Sequence, residues 1–112
     1  MTQVQTKTEF LTEALLEQVN DIWKVNYTES GYNFYSKLEY EVAKKYIKVF
    51  SGRVTDGVYD RESVFMFIDK ETGACYKPAS YKAPAKGIRF YLESLVENPD
   101  LVDAYGSFLY RR

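Results

Sequence analysis

Ser63-Val64-Phe65-Met66-Phe67-Ile68, with the turn Asp69-Lys70-Glu71-Thr72-Gly73 and the return Ala74-Cys75-Tyr76-Lys77, decides the fold. Val64 to Ile68 is an unbroken apolar run of aromatic and β-branched character, which reads as a strand covered on both faces. Gly73 is free to take the left-handed conformation that closes a hairpin. Pro78 has no N–H to give to a ladder, so the return strand ends there or lies at an edge. Upstream, Asp56-Gly57 is a second hairpin signal, because both residue types tolerate positive φ.

Moving toward the N-terminus, Leu38, Tyr40 and Val42 alternate with Lys37, Glu39 and Glu41, and Tyr46 to Phe50 is β-prone. Leu38, Val42, Tyr46, Val49 and Phe50 also fit a helical face; two short strands, or one bent strand, is the preferred reading of this segment. Asn26 to Ser36 reads as a loop punctuated by Gly31. Its rings, Tyr27, Tyr32, Phe34 and Tyr35, either fold back as a cap on the core or present an adhesive surface. Before it, Thr6 and Glu9 fit a capping box. Leu11, Leu15, Val19 and Ile22 recur at helical spacing, which predicts an amphipathic helix from about Thr8 to Lys24.

Moving toward the C-terminus, Pro84 suits the first turn of a helix. Ile88, Tyr91, Leu92 and Leu95 supply its apolar face, and Asn98-Pro99 ends it. A short helical turn is expected at Leu101 and Val102, a break at Gly106 and a small final strand at Phe108-Leu109-Tyr110. The expected fold is α+β: an antiparallel β-meander of three to five strands, with an N-terminal helix and a second helix packed on one face. The tail, the aromatic loop or a second subunit is left to cover the other face.

Composition sets the class. The chain has 112 residues, 46% hydrophobic and 28% charged, which is ordinary for one globular domain spanning 1–112. Aromatic residues reach 17%, with eleven Tyr, seven Phe and one Trp. Cys75 is the single cysteine, so no internal disulfide forms, and a reducing compartment is expected. No apolar run approaches the roughly 20 residues that cross a bilayer. Met1 to Glu9 lacks the basic start and apolar stretch of a signal peptide. A cytoplasmic protein without membrane association is therefore expected.

The net charge is −1 but is unevenly spread. Residues 44–92 carry ten Lys/Arg against five acids, whereas residues 1–43 carry three Lys against seven acids. A basic middle between acidic ends is one mark of an anionic partner. It also arises when acidic helices flank a basic sheet.

Enzymatic chemistry is the harder case to make. The chain has no histidine, which removes the commonest general base and a frequent metal ligand. There is no Cys/His cluster for zinc and no Gly-rich phosphate loop. Cys75 reads as a small packed residue rather than a nucleophile. Asp56, Asp60, Glu62, Asp69 and Glu71 cluster at turns, where Asp caps the backbone in any case. No cofactor and no metal is expected.

The segment between Glu71 and Glu93 is more distinctive, because it holds no acid at all. Lys77, Lys82, Lys86 and Arg89 interleave there with Tyr76, Tyr81, Phe90 and Tyr91. A helix starting near Pro84 would set its free N–H groups beside Lys82 and Lys86, a place suited to phosphate. Lys44, Lys45, Lys48 and Arg53 form a second acid-free patch on the neighbouring strand. If the patches meet, Lys48, Lys77, Tyr81, Lys82, Lys86 and Arg89 form a basic and aromatic surface for single-stranded nucleic acid. Lysines at a sheet edge also serve to block aggregation, so the pattern has a purely structural use.

The run from Ser63 to Gly73, with Tyr76-Lys77-Pro78-Ala79-Ser80-Tyr81-Lys82-Ala83-Pro84-Ala85-Lys86-Gly87-Ile88-Arg89, resembles small uncharacterised proteins of tailed bacteriophages, especially those of marine bacteria and cyanobacteria. Tyr46-Ile47-Lys48-Val49 is similar to their preceding strand. The resemblance covers roughly residues 44–90. Its most specific element is Lys-x-Ala-Ser-aromatic-x-Ala-Pro-Ala-Lys, with Pro78 at the first x and Tyr81 where Trp is more usual. The resemblance implies a viral origin and a host bacterial cytosol; it carries over no catalytic residue.

Three functions follow as expectations. The first is a non-enzymatic phage accessory protein that binds nucleic acid. The second is a protein–protein module, for a host or phage partner or a homodimer. The third is a histidine-free ribonuclease using Lys82 and Arg89.

Overall fold

The computed structural model describes residues 6–103 and 106–110. The chain is α+β, as the patterning predicts. Helix α1 (Lys7–Glu29) is followed by β1 (Phe34–Val42), β2 (Tyr46–Thr55), β3 (Val58–Asp69), β4 (Ala74–Tyr76) and β5 (Phe90–Tyr91). Helix α2 (Leu92–Glu97) and two 3₁₀ turns, Pro99–Leu101 and Ser107–Tyr110, complete it. The five strands form one antiparallel sheet in the order β1-β2-β3-β4-β5.

Thr6 is the N-cap of α1, its Oγ1 accepting from the Glu9 N–H at 3.1 Å. The helix runs past the expected end at Lys24 to Glu29, so Tyr27 is helical rather than in a loop. No Gly or Pro interrupts it before Gly31, which takes φ +85°. The Gly31 N–H donates to the Thr28 carbonyl and the Tyr32 N–H to the Tyr27 carbonyl, both at 3.1 Å. This is the double closure of a glycine-terminated helix, completed by the Tyr27–Tyr32 ring contact at 5.6 Å.

α1 lays Leu15, Leu16, Val19 and Trp23 on the sheet, against Leu38, Ile47, Val49, Met66 and Ile68. Asn20 pins the outer edge of β1. Its amide donates to the Leu38 carbonyl at 3.0 Å and accepts from the Leu38 N–H at 2.8 Å. A side chain thus stands where a further strand would pair.

β2 and β3 meet at Asp56 (φ 51°) and Gly57 (φ 78°), the hairpin that the sequence predicts. Their pairing slips twice. Phe65 is unopposed between Met66 and Val64, and Glu62 is unopposed between Ser63 and Arg61. Such bulges re-aim side chains. Phe65 turns toward the helix side, onto Trp23 (6.2 Å between ring centroids) and Phe108 (5.8 Å).

Two expectations at the C-terminal end are corrected. No helix begins near Pro84. Pro84 pairs with Pro78 in an isolated bridge, and residues 77–89 form a loop stitched by Ala85 N–H to the Lys77 carbonyl (2.8 Å) and by Ala79 N–H to the Ala83 carbonyl (3.0 Å). Ile88, Tyr91, Leu92 and Leu95 are divided between loop, β5 and the six-residue α2. Phe108 and Leu109 lie in a 3₁₀ turn, not a strand, and both are buried in the core. Gly106 (φ +70°) lies against the Phe65 ring and permits the sharp entry into that turn.

Candidate functional site

Side chains alternate along a strand. Ile47 and Val49 face α1. Tyr46, Lys48, Phe50, Gly52 and Val54 therefore face the other way, together with Phe67, Tyr59 and Arg61 of β3. Among the described residues no helix covers this second face, yet Phe50 and Phe67 are both 1% exposed.

Cations and rings do the covering. The Arg61 guanidinium lies 3.8 Å from the Phe50 ring centroid and reaches across β2 to Glu41 (3.1 Å) and Glu39 (3.9 Å) on β1. The basic loop supplies Tyr81, whose ring is 6.0 Å from Phe50. Lys48 lies between, its ammonium 4.6 Å from the Tyr81 centroid and 5.7 Å from that of Phe67. Tyr46 meets Phe67 and Tyr76 edge-on at 5.8 and 6.1 Å, and the Lys45 ammonium sits 5.3 Å over Tyr46. Each such cation–ring contact contributes about 0.5–1 kcal/mol at a partly exposed site. The loop is held in shape by Ser80, whose Oγ accepts from the Lys82 and Ala83 N–H groups at 3.3 and 3.2 Å.

The two basic segments thus meet at Lys48 and Tyr81, the latter 59% exposed. Lys82 and Lys86 are exposed on the loop, and Lys77 is half-buried at its base. The phosphate site expected at a helix N-terminus beside Lys82 and Lys86 does not exist, because Pro84 opens no helix. Arg89 is partly buried; its N–H donates to the Cys75 carbonyl at 2.8 Å, and its Nε is enclosed without a hydrogen-bond partner. Arg53 leaves the basic group altogether. It points to the helix side, 4.4 Å over Phe34. The sequence reading missed Arg61, whose place over Phe50 depends on register.

At one end of the sheet, the turns after β1 and β3 lie side by side, with the Lys70 N–H donating to the Lys45 carbonyl at 3.2 Å. Lys44, Lys45 and Lys70 gather there with Asp69 and Glu71. Asp69 Oδ1 accepts from the Glu71 and Thr72 N–H groups at 2.8 and 3.1 Å. Partial burial opposes ionisation, but these bonds and nearby Lys45 hold its carboxyl below the usual range. Cys75 is fully buried and its thiol is pushed up to about 12 by that burial, so it stays protonated and unreactive. Among the described residues, no group of three His, Cys, Asp or Glu is arranged to hold a metal ion, and no helix is long and apolar enough to cross a membrane.

Neither the curated proteins nor the solved structures contain a match to this chain. A family model, described as a family of unknown function (DUF7717), matches residues 1–111, and the chain belongs to that family.

Proposed function

We propose that this protein binds single-stranded nucleic acid on the open face of its sheet. The observation that carries the proposal is Lys48, held between Phe67 and Tyr81, where β2 and the loop of residues 77–89 combine into one cationic and aromatic surface. An antiparallel sheet with a helix on one face and rings and cations on the other offers what a flexible strand needs. Bases stack on exposed rings, and phosphates find Lys and Arg alongside. Tyr81 is the stacking platform. Lys45, Lys48, Lys77, Lys82 and Lys86 supply the charge, with Arg89 at the inner margin. Arg61 adds little, since Glu39 and Glu41 already neutralise it. A phage accessory role in a bacterial cytosol belongs to the same proposal.

The test is fluorescence anisotropy with labelled single-stranded DNA and RNA at two salt concentrations. With four phosphate contacts, affinity falls about 50-fold between about 50 and 200 mM salt. Lys48→Glu with Lys82→Glu abolishes binding, and Tyr81→Ala weakens it by about 1–3 kcal/mol. No binding at the lower salt, or binding that both variants retain, overturns the reading. Shortening of the RNA during the assay would shift it to the ribonuclease alternative.

A further inference from the structure

On the helix side of the sheet, at the end near the β2–β3 turn, α1, strands β1 to β3 and the Pro99–Leu101 turn border a cleft of about 600 Å³. That volume falls within the range of small-molecule sites. One wall is aromatic: Trp23, Tyr27, Tyr32 and Phe34. Tyr27, Tyr32 and Phe34 form a closed triangle, with ring centroids 5.2 to 5.7 Å apart. The wall is fixed in place. The Tyr27 hydroxyl bonds to Ser36 Oγ at 3.2 Å, and Trp23 Nε1 donates to the Val102 carbonyl at 3.3 Å.

The other wall is charged. Glu62, Asp100, Asp103 and Arg53 line it. Glu62 is there because it is the extra residue of a bulge. Asp103 accepts from the Phe108 N–H at 3.2 Å. Among the described residues, Arg53, Glu62 and Asp100 form no ion pair. Arg53 instead sits over Phe34, so the aromatic triangle already takes one cation on a ring face.

We propose that this cleft binds a small organic cation, an alkyl- or arylammonium ion, with its body against the rings and its charge toward Glu62 and Asp100. Ring faces attract such a cation through their quadrupoles, and carboxylates supply the counter-charge. The site is separate from the open sheet face and stands whether or not that face binds nucleic acid.

Trp23 is the only tryptophan of the chain and lines the cleft, so its fluorescence reads occupancy directly. The full chain is titrated with benzylammonium, and with benzyl alcohol and benzoate as neutral and anionic counterparts. Benzylammonium gives a saturable change with Kd on the order of 1 mM, the affinity expected of so small a ligand. The counterparts give none. Glu62→Gln and Asp100→Asn, both at exposed positions, each weaken binding about tenfold through loss of a charged hydrogen bond. Both retain the wild-type circular dichroism, and Glu62→Gln leaves nucleic-acid anisotropy unchanged. An equal response to benzyl alcohol, no saturable response to benzylammonium, or wild-type affinity in both variants overturns the proposal.

Discussion

Gly52 lies in β2 with a strand on either side, and the ring of Tyr59 lies across it. A Cβ placed on Gly52 would collide with the Asp60 backbone carbonyl and would come within 2.5 Å of Tyr59 Cζ and 2.6 Å of its hydroxyl. The carbonyl cannot move without breaking the β2–β3 ladder, and the ring cannot move without uncovering the second face. Overpacking of this kind costs about 1–3 kcal/mol, and a clash with backbone belongs at the upper end. Ala recovers about 0.5–1 kcal/mol through its lower chain entropy. The net loss for Gly52→Ala is therefore about 2 kcal/mol, or about 8 °C in Tm for a chain of this size. Urea denaturation followed by circular dichroism measures it, with an unchanged m-value showing that only stability moved. In a Tyr59→Ala background the cost shrinks but does not vanish, because the Asp60 carbonyl remains. A loss below about 0.5 kcal/mol, the range of an ordinary surface substitution, would refute the reasoning.

Two further outcomes are expected. Asn20→Ala removes both bonds to Leu38 and costs about 2 kcal/mol, at about 1 kcal/mol each. It also frees the β1 edge, so sedimentation velocity detects self-association that rises with concentration, and a monomer of unchanged stability would contradict this. The protein also loses stability in alkali. Burial raises the Cys75 thiol from 9.0 to about 12, and burial with nearby Glu39 raises the Tyr59 hydroxyl from 10.0 to about 12. Both folded values lie above the unfolded ones, so this stability is complete below about pH 9 and drains away as pH climbs toward 12. Cys75→Ala flattens the fall in urea midpoint between pH 8 and pH 11; an identical fall in the variant would sink the assignment.

Elements set by short-range signals were legible in the sequence. Thr6 marked the start of α1, Asp56-Gly57 marked one hairpin, and the run from Val64 to Ile68 marked the central strand, because cap, turn and burial each act within a few residues. Pro84 misled, since the φ that suits a first helical turn suits a loop bridge equally, and only pairing with Pro78 decides between them. The end of α1 is marked by Gly31, because the polar residues from Asn26 to Ser30 do not themselves stop a helix. The bulges at Glu62 and Phe65 leave no local mark, because they arise from register against β2. Of the basic surface, composition marks Lys48 and Tyr81 but only the fold brings them together, whereas the departure of Arg53 to the other side follows from strand parity. The cleft joins residues as distant as Trp23 and Asp100, and no window of sequence holds them together.

β3 has twelve residues where β2 has ten, and the surplus is Glu62 and Phe65. In a regular strand, gaining or losing one residue turns every later side chain to the opposite face. Here a residue sits outside the ladder at each bulge, so deleting Glu62 would leave Arg61 opposite Gly52 and Ser63 opposite Ser51, with all facings kept. The longest strand of the sheet therefore contains a place where chain length can drift in evolution without turning the fold inside out, and that place is also a wall of the cleft. Relatives differing by one residue there would share the scaffold and differ in what the cleft accepts.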